Sequence, residues 1–112
     1  IDAHHHLLKS CRESYPWMCS NMYTIRSDFL IDDLLGVLRQ NGIDGAISVQ
    51  ATQCVTETEW LLNVADNNEC IRGVVGWVPL SSPKVGADLE RFAANPRLKG
   101  VRHVLHDEPD DY

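Results

Sequence analysis

No apolar run in this sequence of 112 residues approaches the ~18 residues that a membrane-spanning helix requires. A basic start followed by an apolar stretch, the mark of a secretory leader, is also missing. Basic residues are scarce: ten Lys and Arg stand against sixteen Asp and Glu, a formal net charge of -6 with a pI near 5.2. That balance opposes attraction to phosphate backbones or anionic lipid, so neither nucleic acid nor a membrane is expected as a partner. The four cysteines, at positions 11, 19, 54 and 70, include no C-x-x-C pair and no zinc-ribbon spacing. They read as reduced thiols in a cytoplasmic setting, because a disulfide scaffold would be denser in cysteine and poorer in regular patterning. No low-complexity tract or tight repeat is present. With 44% hydrophobic and 23% charged residues, the composition is that of an ordinary globular domain or a piece of one.

What is present is a rhythm of strand and helix. Residues 1–7 form a short apolar and histidine-rich segment of strand character. A long polar stretch over residues 9–27 follows, carrying Tyr15, Pro16, Trp17 and Tyr23. A connection of that length in a compact domain usually serves function, so it is a candidate cover for a site. Leu30, Ile31, Leu34, Leu35 and Leu38 recur at helical spacing, with Asp32 and Asp33 near the positive end of the helix and Gly42 as its stop. Residues 43–51 alternate as a strand should. Thr56 and Glu59 make a T-x-x-E capping box for a second helix that fades at Asn67 and Asn68. Residues 71–78 are nearly continuous in apolar and glycine residues, as in a strand buried on both faces. Ser82 as cap and Pro83 in the first turn predict a third helix, with Val85, Leu89, Phe92 and Ala93 on one side and Pro96 beyond its end. Residues 98–105 give a fourth strand, which leads into the acidic loop H-D-E-P-D-D at residues 106–111.

Strand alternating with helix implies a parallel sheet with right-handed crossovers. An open doubly wound sheet would usually carry a glycine-rich phosphate turn after its first strand, and none is there. The other architecture, a closed (β/α)₈ barrel, needs ~250 residues. Four strands and three helices are about half of one. If barrel-derived, the chain cannot close its own sheet; opening on Ile1 rather than Met, it reads as trimmed from a longer chain.

The sharpest chemical feature is Asp2-Ala3-His4-His5-His6. Side chains alternate along a strand, so His4 and His6 share one face and His5 takes the other. Two imidazoles one pleat repeat apart can reach a single metal ion, and zinc accepts neutral imidazole nitrogens readily. Core histidines with ordinary hydrogen-bond partners would give the same spacing.

The order D-A-H-x-H, then Y-P-W (residues 15–17) and D-F-L (28–30), continues in V-Q-A (49–51), E-T-E-W-L-L (57–62), G-V-V-G-W-V (73–78) and G-V-R-H-V-L-H-D-E-P-D (100–110). This set resembles the amidohydrolase-related family of metal-dependent hydrolases, above all its branch of sugar lactonases such as L-fuconolactonase and L-rhamnonolactonase. The resemblance spans nearly the whole chain, and residues 100–110 are its most specific part. It implies that residues 1–112 are the N-terminal part of a single (β/α)₈ barrel domain, in which His4 and His6 help hold one divalent metal, zinc by preference, while His5 does not. It also implies that further histidines and a late aspartate, the expected general base, come after Tyr112. No catalytic base is named within these residues.

The other strand ends supply candidate substrate contacts. Gln50 ends an apolar strand and suits either a substrate hydroxyl or a loop-bonding amide. Trp77 suits an apolar wall against a sugar ring or a place in the core. Arg102, a guanidinium in a strand of valine and leucine, must find an anionic or carbonyl partner. A lactone carbonyl or the released carboxylate fits its two-pronged donor, and so would a salt bridge to Asp2 or the acidic loop. His103 points away from Arg102 by alternation. His106 and Asp107 are weaker candidates, and Trp17 and Tyr15 could cap the pocket. The expected function is metal-dependent opening of a sugar-acid lactone by an enzyme taking a small-molecule substrate, with homo-oligomerisation left open. The rival readings are amide hydrolysis or decarboxylation on the same barrel, or an inactive partial barrel that serves only as an interaction module.

Overall fold

The computed structural model describes residues 1–9, 29–106 and 108–112. Tyr15, Trp17 and Asp107, three of the candidate residues, lie outside the described residues, as do Cys11 and Cys19.

Among the described residues seven elements follow one another: β1 (Asp2–His5), α1 (Ile31–Gln40), β2 (Ala46–Val49), α2 (Val55–Asp66), β3 (Ile71–Gly76), α3 (Val85–Ala93) and β4 (Leu98–Val101). The strands form one sheet in the order β1-β2-β3-β4, every neighbour parallel. Spatial order that repeats sequence order means each crossover steps one strand in the same direction, with no reversal. A doubly wound sheet reverses at its switch point; a barrel does not. All three helices contribute to one core, in which Leu38 of α1, Leu61, Leu62 and Ala65 of α2 and Phe92 of α3 meet Ala46, Ile71, Val74 and Val78. On the other face of the sheet the neighbours of Gly73 are Lys99 and Ile47, whose side chains occupy the space a Cβ would need. Among the described residues no helix is long and apolar enough to cross a membrane.

The helix boundaries differ from the sequence expectation in instructive ways. Gly42 stops α1 as expected: at φ 64° it lets its own N–H reach Arg39 O at 3.3 Å and the N–H of Ile43 reach Leu38 O at 2.9 Å, a Schellman closure that satisfies two terminal carbonyls. The second helix has no T-x-x-E box. It begins two residues earlier than that box would start it, at Val55, after an extended Cys54 that offers no side-chain cap. The carboxylate at work there is that of Glu57, which reaches back to the backbone N–H groups of Ala51 and Thr52. Ser82 and Pro83 form a turn before α3 rather than its first residues: Ser82 Oγ accepts the N–H of Lys84 at 3.1 Å, and the helix starts at Val85. The strands are shorter than the apolar runs. The ladder of β1 stops at His5 and that of β4 at Val101, although Arg102 still donates its N–H to Gly76 O at 2.9 Å.

Candidate functional site

Because all four strands run parallel, their C-terminal ends lie side by side. They bring the histidine cluster, Gln50, Trp77 and Arg102 to one end of the sheet. His4 and His6 share a face, with ring centroids 4.9 Å apart in an edge-to-face arrangement. His6 Nδ1 lies 2.9 Å from Val49 O. A carbonyl can only accept, so the ring proton sits on Nδ1 and the lone pair on Nε2, the tautomer a metal ligand needs. Burial lowers the His6 pKa, against the Val49 bond that raises it, and His4 and Arg102 lower it further. A neutral imidazole results at neutral pH. Among the described residues no group of three or more His, Cys, Asp or Glu converges to hold a metal. The pair therefore fits a metal as two ligands of a larger set, with His6 offering Nε2.

His5 points into the helix-covered side. Its Nε2 is 2.8 Å from Ser48 Oγ, and its Nδ1 is 3.4 Å from Asp2 Oδ2, too poorly aligned for a hydrogen bond. Burial lowers its pKa, outweighing the Asp2 charge. Aspartate, histidine and serine in that order have the composition of a hydrolytic triad. Ser48 is only 1% exposed, however, so no substrate carbonyl can reach its oxygen. The contact is a cross-strand lock between β1 and β2.

Among the described residues Arg102 makes no salt bridge to Asp2 or to the acidic loop. Its Nε donates to Gln50 Oε1 at 3.0 Å, and its Nη2 donates to the same Oε1 at 2.6 Å and to Gln50 O at 2.9 Å. Gln50, 1% exposed, turns its amide nitrogen to Thr52 O at 3.5 Å. Its amide thus bonds both the loop, as one of its two readings had it, and the Arg102 guanidinium, which neither reading named. The second terminal nitrogen of Arg102, Nη1, lies outside this clamp.

Trp77 and His103 are tied to each other. The indole N–H donates to His103 Nδ1 at 2.9 Å, which leaves the imidazole proton on Nε2 to bond Glu108 Oε1 at 2.8 Å. Gln53 donates to the same carboxylate at 3.1 Å and accepts the N–H of Val104 at 3.0 Å. The hydrogen bonds from His103 and then Gln53 hold the Glu108 carboxyl below the ordinary range. Tyr112 stacks on His103 at 5.3 Å. Both nitrogens of His103 and the one polar atom of Trp77 are thus engaged within the protein. His106 sits in the turn that follows.

Sequence reasoning missed Glu57, Ser48, Gln53 and Glu108. A carboxylate inside E-T-E-W-L-L on the buried side of the helix was the one available signal for Glu57.

The amidohydrolase family profile matches residues 1–112. Among curated proteins, an L-fucono-1,5-lactonase of Burkholderia ambifaria is 33% identical over 111 residues, 99% of this chain and 38% of that protein. A second L-fucono-1,5-lactonase, of Burkholderia multivorans, is 33% identical over 110 residues, 98% of this chain and 37% of that protein. A crystal structure of an amidohydrolase from Burkholderia multivorans with bound Zn superposes with a TM-score of 0.88 at 34% identity. Another crystal form, with bound HEPES, gives 0.91 at 32%. Both alignments cover 97% of this chain and 38% of the other. The neighbours are (β/α)₈ barrels, and four parallel strands with three helices are a part of that fold.

Proposed function

The chain belongs to the amidohydrolase family, and from that premise we propose that the protein to which it contributes opens a sugar-acid lactone of the L-fuconolactone class with a divalent metal, zinc by preference. The chain spans about 38% of the length of the relatives it matches, and on this reading residues 1–112 supply the N-terminal part of the barrel domain. The observation that carries the reading is the edge-to-face pair His4 and His6, with His6 fixed as an Nε2 donor by Val49. The relatives named L-fucono-1,5-lactonase support the substrate class, and the Zn bound to a solved neighbour supports the metal.

When bound, the metal supplies positive charge that polarises the lactone carbonyl and favours deprotonation of water near neutral pH. His4 and His6 would hold it, in company with groups from the rest of the barrel. Arg102 is aimed by Gln50 so that Nη1 can meet the carbonyl oxygen as negative charge grows on it, and later the carboxylate released by ring opening. Water adds to the carbonyl carbon, the ring ester bond breaks, and the ring oxygen leaves as a hydroxyl.

The test uses the whole protein with His4→Ala and His6→Ala, assayed on sugar lactones beside amides and aromatic carboxylates. Loss of both lactone opening and bound zinc is expected. Wild-type turnover confined to amides or carboxylates would reassign the reaction, and variants that keep metal and rate would remove the pair from the site.

A further inference from the structure

We propose that Glu57 is a positioning residue for Arg102, acting through the turn between β2 and α2 and through Gln50. The substrate group that Arg102 meets rests on the lactone reading above; the mechanical link to Glu57 does not.

Glu57 stands in the first turn of α2 and is 7% exposed. Its Oε1 accepts the N–H of Ala51 at 2.8 Å and that of Thr52 at 3.1 Å. Ala51 directly follows Gln50, and Gln50 meets Arg102 through both its side-chain oxygen and its backbone carbonyl. Gln50 also donates to Thr52 O. One carboxylate oxygen thereby fixes both peptides of a turn whose preceding residue holds the guanidinium at two points. If those peptides rotate, Gln50 O swings with them and the clamp opens.

The second oxygen supports a role beyond tying a loop. Glu57 Oε2 is buried and has no hydrogen-bond partner among the described residues. An orphaned buried oxygen is unfavourable and calls for a reason. Arg102 is near enough that its charge favours the ionised form of Glu57, by less than burial opposes it. The helix itself does not need Glu57 as a cap, because the carboxyl bonds the turn before the helix and leaves Cys54 without a side-chain cap.

The experiment compares wild type, Glu57→Gln, Glu57→Asp, Glu57→Ala and Gln50→Ala in the whole protein. Two readouts are taken: hydrogen exchange of the Arg102 Nε–H by side-chain NMR, and kcat and KM on L-fuconolactone. Glu57→Gln keeps an acceptor at Oε1 and should hold both within about threefold, whereas Glu57→Ala and Gln50→Ala should speed exchange and lower kcat/KM by about tenfold or more. Should Glu57→Ala fail to fold, Glu57→Asp keeps the charge and withdraws the acceptor by one methylene, and the same loss is expected. Unchanged exchange in folded Glu57→Ala or Glu57→Asp overturns the proposal, as does a Glu57→Gln loss equal to that of alanine. Exchange needs no substrate: wild type that opens no lactone while its Arg102 Nε–H stays protected defeats the reaction assigned above and leaves the positioning role standing.

Discussion

A carboxyl sealed from water at 7% exposure, with one oxygen on two amides and the other without a partner among the described residues, makes stability depend on pH in a direction opposite to that of most acidic residues. Burial raises the Glu57 pKa above the ordinary range, more than the Thr52 and Ala51 bonds and the Arg102 charge lower it. On raising the pH, the unfolded chain gives up this proton first while the folded chain keeps it. The folded state then binds more protons, and stability falls with pH. The penalty is absent below about pH 4 and grows from there until the folded-state pKa is passed. Glu57→Gln carries no such penalty. Its urea midpoint relative to wild type should therefore climb between about pH 4 and pH 7, and a constant difference across that range would show the carboxyl to be unperturbed. Residues such as this explain what the sequence could and could not say about the site. Alternation along a strand places His4 with His6 without any knowledge of the fold. The Arg102 partner could not be named in that way, because Gln50 is 52 positions distant and both residues reach the same spot only when β2 and β4 end at one edge.

At the scale of elements, α2 is fastened to β3 by one hydroxyl. Thr58, fully buried, accepts the N–H of Trp77 and donates to its carbonyl, each at 2.8 Å. Gly76 leaves room for that approach, since a Cβ there would fall 2.6 Å from Thr58 Cγ2. Thr58→Val keeps the shape and removes both bonds, leaving two buried backbone groups unpaired. A loss of about 2 to 6 kcal/mol is expected, given about 1–3 kcal/mol for each such group. Thr58→Ser retains the hydroxyl and should lose only about 1 kcal/mol for the missing methyl. Urea denaturation of the two variants checks this, and equal losses would assign the effect to packing rather than to the hydrogen bonds. The described elements were legible from sequence: helices by the spacing of the apolar stripe they bury, β2 by alternation, and β3 by an unbroken apolar run that suits burial on both faces. The helix starts were not. T-x-x-E and S-P are cap signals only if the backbone turns helical at those residues, and at Cys54 and Lys84 the tertiary docking of α2 and α3 chose other starting points.

At the scale of the whole molecule, the proposed metal centre makes a prediction about what the four described strands can hold without the rest of a barrel. Within the described residues β1 and β4 each pair along one side only, and His4 and His6 are both solvent-exposed on the face that the helices leave uncovered. Tetrahedral zinc sites take three or four protein ligands, while no described group of three or more candidate ligands gathers in these residues. Among the described residues the two imidazoles are joined by no third ligand and stand exposed rather than in a low-dielectric enclosure. Residues 1–112 expressed alone should therefore hold zinc at least about 100-fold more weakly than the whole protein, because metal affinity follows ligand count and the surrounding shell. Competition with a chelator of known affinity measures the ratio. His6→Ala should remove most of the residual binding in the isolated span, since His6 carries the tautomer fixed by Val49. Equal affinity in the span and the whole protein would mean that the metal is held by residues already present here, and that the rest of the barrel adds nothing to the centre.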